Sequence, residues 1–203
     1  IFFQKLLKNT KTNYQNTKMK NKIIIISSPS GAGKTTICNN LVKKMKNIQI
    51  SISYTTRPIR KNEKNGYDYY FVTKKEFDNL KNKNFFIETA KVFGYFYGSP
   101  KANILNGIKN KKNILFDIDW QGAKKIRKIY KSNDIIDFFI LPPNEKELKK
   151  RLEKRGRETM KEIEKKISLA LSETSHYIEY KHVIINKTIQ KTVKEVIKII
   201  KQS

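Results

Sequence analysis

The stretch IIIISSPSGAGKTT at residues 23–36 constrains this chain more than any other. Its apolar half is continuous rather than alternating, the pattern of a strand buried on both faces in a parallel sheet. Two glycines then end the strand. Beyond them Ile37, Leu41, Val42 and Met45 recur at helical spacing. A buried strand, a glycine loop and an amphipathic helix in that order form the opening unit of an α/β sheet.

The loop between them follows the phosphate-loop pattern G-x-x-x-x-G-K-[ST] except that Ser28 stands at its first glycine. A serine serves there if its dihedrals stay in the region open to ordinary residues. Backbone N–H groups of Ser28, Pro29-Ser30, Gly31, Ala32 and Gly33 would frame a phosphate chain, proline contributing only its shape. The helix N-terminus adds partial positive charge. Lys34 is expected to reach the β- and γ-phosphates, and the Thr35 hydroxyl to ligate Mg²⁺, with Thr36 beside it. Together they form a site for a nucleoside triphosphate with Mg²⁺. Cys38, one turn further on, reads as a small packed residue.

More buried strands follow at 113–119 (NILFDID), 135–141 (IIDFFIL, stopped by two prolines) and 182–186 (HVIIN). Asp117 and Asp119 end the first of these at the carboxyl edge of the sheet, where α/β proteins bind ligands. Gln121-Gly122 opens the next helix. A helix is expected after Asn144. Capping boxes at Thr73-x-x-Glu76 and Thr159-x-x-Glu162 open two others, the second running to about 180. Segment 50–99 is richer in Tyr, Phe, Thr and Gly, with short β-like pieces such as DYYFV, and reads as an inserted subdomain. A last helix carries Ile189, Val193, Val196, Ile197 and Ile200 on one face. Residues 1–18, polar and without an acid, read as a disordered extension left outside the fold, and the domain is placed at 19–203.

A chain of 203 residues suits one domain. No apolar run reaches the ~18 residues of a membrane span. One cysteine excludes an internal disulfide framework and suits a reducing, cytoplasmic setting. The net charge of +26 points naively to nucleic acid. Yet only six of the 44 basic residues are arginine, and the lysines are spread along the whole chain. That distribution is a solvated lysine-rich surface rather than a dedicated nucleic-acid face. Five of the arginines fall in two clusters, Arg57/Arg60 and Arg151/Arg155/Arg157. Where lysine is the default cation, retained arginines mark places that need a planar fork, as phosphate recognition does.

The segments SISYTTRPIRKNEKNGYDYYFV, FIETAKVFGYFYGS, FDIDWQG and PPNEKELKKRLEKRGRET resemble, in order, the motifs of guanylate kinases. The likeness runs from about 23 to 200. It implies a three-layer P-loop NTPase fold with a parallel sheet, a GMP-binding insertion at about 50–99 and a lid at about 151–165. The implied activity is transfer of the γ-phosphoryl group of ATP to GMP, within purine nucleotide metabolism and GMP recycling. By the same resemblance Glu88 accepts from the N1–H and N2–H₂ donors of guanine, and Ser53 and Ser99 offer hydroxyls to O6. Arg57, Arg60, Tyr69 and Tyr97 clamp the monophosphate. Asp117 and Asp119 serve the acceptor nucleotide and the water shell of Mg²⁺, their division open, with Asp117 placed beside Thr35 on the metal side. Lys34, Arg57, Arg151, Arg155 and Lys166 form the catalytic set. Lys166 stands where the family commonly has arginine, which keeps the charge and loses the fork. Asn186 faces the adenine, followed by Lys187 where the family often has an acid.

A carboxylate aimed at guanine would be left unpaired against adenine, so discrimination of about 10⁴ is expected. The nucleophile is a phosphate oxygen already ionised at neutral pH, so no general base is required, and His176 and His182 read as structural. A peptide-binding relative of the fold would have lost Lys34, Thr35, Arg151 and Arg155. A monomer or homodimer acting on ATP and GMP, with no specific nucleic-acid or membrane partner, completes the expectation.

Overall fold

The computed structural model describes residues 21–156 and 159–203. The leader read at 1–18 and the third lid arginine, Arg157, lie outside the described residues.

Five strands form a parallel sheet: β1 (Ile23–Ser27), β2 (Ile48–Ile50), β7 (Asn113–Asp117), β8 (Ile135–Leu141) and β9 (His182–Ile185). Their order across the sheet is β2-β7-β1-β8-β9. The chain leaves β1 toward one edge and, after β7, crosses to the other, so the strand order reverses around β1. The seven α-helices among the described residues are α1 (Lys34–Lys44), α2 (Lys74–Asn82), α3 (Lys101–Lys109), α4 (Trp120–Ile129), α5 (Glu145–Arg155), α6 (Met160–Thr174) and α7 (Ile189–Gln202).

Burial alternates along the central strands β7, β1 and β8 between two cores. Ile24 and Ile26 of β1 join Ile37 and Leu41 of α1, Phe138 of β8 and Val193 and Val196 of α7 on one face. Ile23 and Ile25 join Ile104 of α3, Phe116 of β7 and Ala123 and Ile126 of α4 on the other. Helices on both faces of one parallel sheet make the three layers expected, and explain why the central strands carry no polar face. The one acid inside β8, Asp137, is fully buried and held by the Arg127 guanidinium at 3.2 Å and the Lys181 backbone N–H at 2.9 Å.

Between β2 and β7 the chain builds a second sheet, in the order β4-β3-β6-β5, from β3 (Tyr54–Thr55), β4 (Tyr70–Phe71), β5 (Phe86–Val92) and β6 (Tyr95–Pro100). The DYYFV piece contributes only Tyr70 and Phe71 to it. Phe77 of α2 stacks on Phe86, the centre of a small aromatic core under this sheet. Helices α5 and α6 share a separate cluster of Leu148, Leu152, Ile163, Ile167 and Ala170. Both capping boxes form, with Thr73 and Thr159 each accepting from the backbone three residues on. The helix expected to run to about 180 ends at Thr174, and a 3₁₀ turn over Ser175–Glu179 replaces its last part.

Candidate active site

The loop after β1 lies at the carboxyl end of the central strand, where the strand order reverses. Gly31 and Gly33 both take positive φ, 92° and 99°. Ser28 is not among the non-glycine residues with positive φ, so its side chain is tolerated as the sequence required. No side chain caps α1, and its first turn carries no acid. The backbone N–H groups of that turn, with the exposed hydroxyls of Thr35 and Thr36, therefore face outward. A side chain at Gly31 would collide with Leu148 at 2.7 Å, so the loop is roofed by α5.

Lys34 is paired with Asp117, whose strand lies beside β1. Burial opposes the Lys34 charge, but Asp117 outweighs it and holds the ammonium well above its ordinary value. Asp119 is not the end of a strand, as expected, but the N-cap of α4. Its Oδ1 accepts from Gly122 N–H at 3.0 Å and its Oδ2 from the Gln121 amide at 2.8 Å. The two aspartates thus have distinct surroundings: Asp117 meets the loop lysine, and Asp119 organises a helix start.

Asn186, expected to face a base, is buried, and both ends of its amide are engaged. Its Nδ2 donates to the Ala32 carbonyl at 2.7 Å, and its Oδ1 accepts from Thr192 at 3.0 Å. It braces the phosphate loop rather than presenting a free amide. Its backbone carbonyl accepts from Arg151 at 2.9 Å, which brings that arginine of α5 to the same corner. Arg155 lies on the final turn of α5. Lys166 of α6 sits over the Phe93 ring at the tip of the β5–β6 hairpin, 5.5 Å from its centroid.

On the second sheet Glu88 and Ser99 face each other across β5 and β6. Ser99 donates to Glu88 Oε1 at 2.6 Å, and Ser53 lies 3.0 Å behind Ser99. All three are buried. With Glu88 ionised, the single Ser99 proton belongs to the carboxylate. Ser53 then donates to Ser99, so neither hydroxyl proton points outward as the sequence reading expected. Burial, the largest influence, pushes the Glu88 carboxyl up to about 7, with Ser99 opposing and Asp119 reinforcing.

Arg57 is nearly enclosed. It bonds Glu63 at 2.8 Å and the Pro58 carbonyl at 2.7 Å, and lies over the rings of Tyr69 and Phe71. Glu63 also accepts the Arg60 backbone N–H at 2.9 Å, and its carboxylate lies 3.8 Å from the Arg60 guanidinium. Burial works against the Arg57 charge, but Glu63 and Tyr97 raise it above its ordinary value. Tyr69 and Tyr97 meet edge to face at 6.0 Å. Burial, then the Asp117 charge, pushes the Tyr69 hydroxyl up, so it stays a proton donor at neutral pH. Asp117 and Lys34 both act on Tyr69, which therefore joins the arginine cluster to the loop.

Two participants escaped the sequence reading. Glu63 is the lone acid between Arg57 and Gly66, a signal that was available. Burial pushes the Glu173 carboxyl, near the end of α6, above its ordinary value, and the Ser30 backbone of the loop opposes that shift, which places this acid beside the loop. Nothing in its local sequence marks it. His176 stacks on Trp120 at 3.6 Å and bonds Glu179 at 2.7 Å, which keeps it structural.

A family model described as guanylate kinase matches residues 20–203. The chain belongs to the guanylate kinase family. The guanylate kinase of Rickettsia bellii is 42% identical over 186 residues, covering 92% of this chain and 96% of that one. That of Blochmanniella floridana is 46% identical over 164 residues, 80% of this chain and 77% of its own. The crystal structure of guanylate kinase from Anaplasma phagocytophilum superposes with a TM-score of 0.75 at 37% identity, covering 90% of this chain and 85% of that one. Among the described residues no helix is long and apolar enough to cross a membrane.

Proposed function

We propose that this chain performs the reaction of its family, ATP + GMP → ADP + GDP, with its two sheets dividing the substrates. The buried Ser53, Ser99 and Glu88 chain carries the reading. Glu88, its Oε1 fixed by Ser99, offers its remaining lone pairs to the adjacent N1–H and N2–H₂ donors of guanine. Adenine has no such donor pair, and the carboxylate would be desolvated against it without compensation.

Arg57 and Arg60, aligned by Glu63, receive the GMP phosphate together with the hydroxyls of Tyr69 and Tyr97. The loop from Ser28 to Thr36 receives the ATP phosphates, with Lys34 moving from Asp117 to the β- and γ-oxygens. Arg151 and Arg155 on α5 neutralise charge on the transferring group, and Lys166 adds to them from α6. The GMP phosphate oxygen attacks without a base, so catalysis is alignment and charge neutralisation. Segments 50–99 and 151–165 close over the nucleotides and exclude water.

The donor set fits Mg²⁺. The Thr35 hydroxyl and the Asp117 carboxylate are hard oxygen ligands next to the loop. Among the described residues no cluster of three or more His, Cys, Asp or Glu side chains could cage a metal alone. That suits an ion held largely by phosphates and water, which would neutralise phosphate charge when bound. We place the reaction in the cytoplasm, consistent with one buried, unpaired thiol at Cys38, and carried out by a monomer or homodimer.

The test is ADP release with GMP, AMP, CMP and UMP as acceptors. GMP should be preferred by orders of magnitude. Equal rates with all four would refute the assignment.

A further inference from the structure

We infer that Gly122 is a specificity-determining residue of the acceptor site, because only a residue without a side chain there leaves the Glu88 carboxylate its position. The inference rests on the proposal that Glu88 reads guanine.

Gly122 is the third residue of α4 and is buried. It is not among the glycines with positive φ, so its backbone does not require glycine. Alanine is the better helix former at such a position. The reason for glycine must be space. A Cβ at 122 would lie 2.6 Å from Glu88 Oε2 and 3.0 Å from its Cδ. Real Cβ atoms do not approach oxygen so closely, so one of the two groups would have to move.

Neither can move without loss. Glu88 is buried and tied through Oε1 to Ser99 at 2.6 Å. The β5–β6 register shifts between Phe86 and Glu88, and the residue is seated at that irregularity. Helix α4 is pinned to β5 as well. Gln121 reaches the Lys91 carbonyl at 3.2 Å and the Lys125 ammonium caps the Thr89 carbonyl, while Gly122 N–H is fixed within the helix start by Asp119 at 3.0 Å. The carboxylate assigned to guanine is thus placed from two sides: Ser99 on its own sheet, and the first turn of a helix of the other. Two parallel hydrogen bonds to one base edge tolerate little displacement, so a methyl group at 122 acts directly on base selection.

The experiment is steady-state kinetics on four full-length proteins: wild type, Gly122→Ala, Glu88→Asp and the double variant. Gly122→Ala should raise KM for GMP at least tenfold while KM for ATP stays within twofold. Glu88→Asp, which draws the carboxylate back by one methylene, should weaken GMP by itself. Adding Gly122→Ala to it should then change KM for GMP less than twofold, because the shortened side chain no longer reaches position 122. An unchanged KM for GMP in Gly122→Ala, a parallel rise for ATP, or additive effects would overturn the inference. If Gly122→Ala alone does not fold, the double variant decides. Its folding supports the steric contact, and its failure to fold overturns it. The wild-type acceptor panel separates the two levels: a wild type indifferent to the base would refute the role of Glu88 itself.

Discussion

Replacing Glu88 by Gln should make the protein more stable and less useful, and by amounts that depend on pH. Glu88 is 3% exposed, and burial raises its carboxyl from an ordinary 4.5 to about 7. A carboxyl whose value rises on folding favours the fold in its protonated form. That contribution is fully present below about pH 4.5 and is lost as the pH rises through about 7. The gap corresponds to about 3 kcal/mol between acid and alkaline conditions. Glutamine is neutral throughout and keeps an oxygen for the Ser99 hydroxyl. The variant should therefore exceed wild type by up to about 3 kcal/mol at pH 8 and by nearly nothing at pH 4.5. Urea unfolding at both pH values, followed by the fluorescence of the single tryptophan, Trp120, gives the comparison. GMP should suffer in the opposite sense. Two charge-assisted bonds, each about 1.5–3 kcal/mol, become one neutral bond and one donor–donor clash, raising KM for GMP by about two to three orders of magnitude. A stability difference independent of pH, or a variant less stable than wild type at pH 8, would refute the reasoning.

Three further outcomes follow from the same geometry. Lys34→Met should abolish ADP formation while leaving equilibrium GMP binding within a fewfold, since the GMP contacts lie on the second sheet; calorimetry with GMP checks the second half. Asn186→Ala removes the brace on the Ala32 carbonyl and strands the Thr192 hydroxyl, so KM for ATP should rise about tenfold and stability fall by about 2 kcal/mol in urea titration, with KM for GMP little changed. Thr159→Ala breaks the capping box that opens α6 and should lower unfolding free energy by about 1 kcal/mol, measured the same way.

The parallel strands were legible because burial on both faces leaves unbroken apolar runs. Residues 23–27 and 135–141 match β1 and β8 end to end. Strand β2 was missed because IQI is three residues at a sheet edge, too short to show any period. The helix over 160–180 was overextended because Ser175 and His176 carry no breaker, and the 3₁₀ turn there is set by stacking on Trp120 and the bond to Glu179. Site residues were legible as types in a motif, not as hydrogen-bond roles. An asparagine after a strand shows no sign that its amide is spent on a loop 154 residues away, nor does Ser99 show where its one proton goes. Those assignments depend on what tertiary packing brings alongside.

The Asn186 brace also bears on how the chain is made. The phosphate loop leaves the ribosome with β1 and α1, yet the side chain that fixes the Ala32 carbonyl arrives 154 residues later. Thr192, which orients that side chain, comes later still. A nascent chain can assemble its loop but cannot tighten it until β9 has joined the sheet edge and α7 has docked on α1. At synthesis rates of about 5–20 residues per second, that leaves an interval of roughly ten to thirty seconds. During it a triphosphate would find the right residues loosely held. Competence to grip the donor is therefore tied to synthesis of β9 and α7, long after the loop itself has been made.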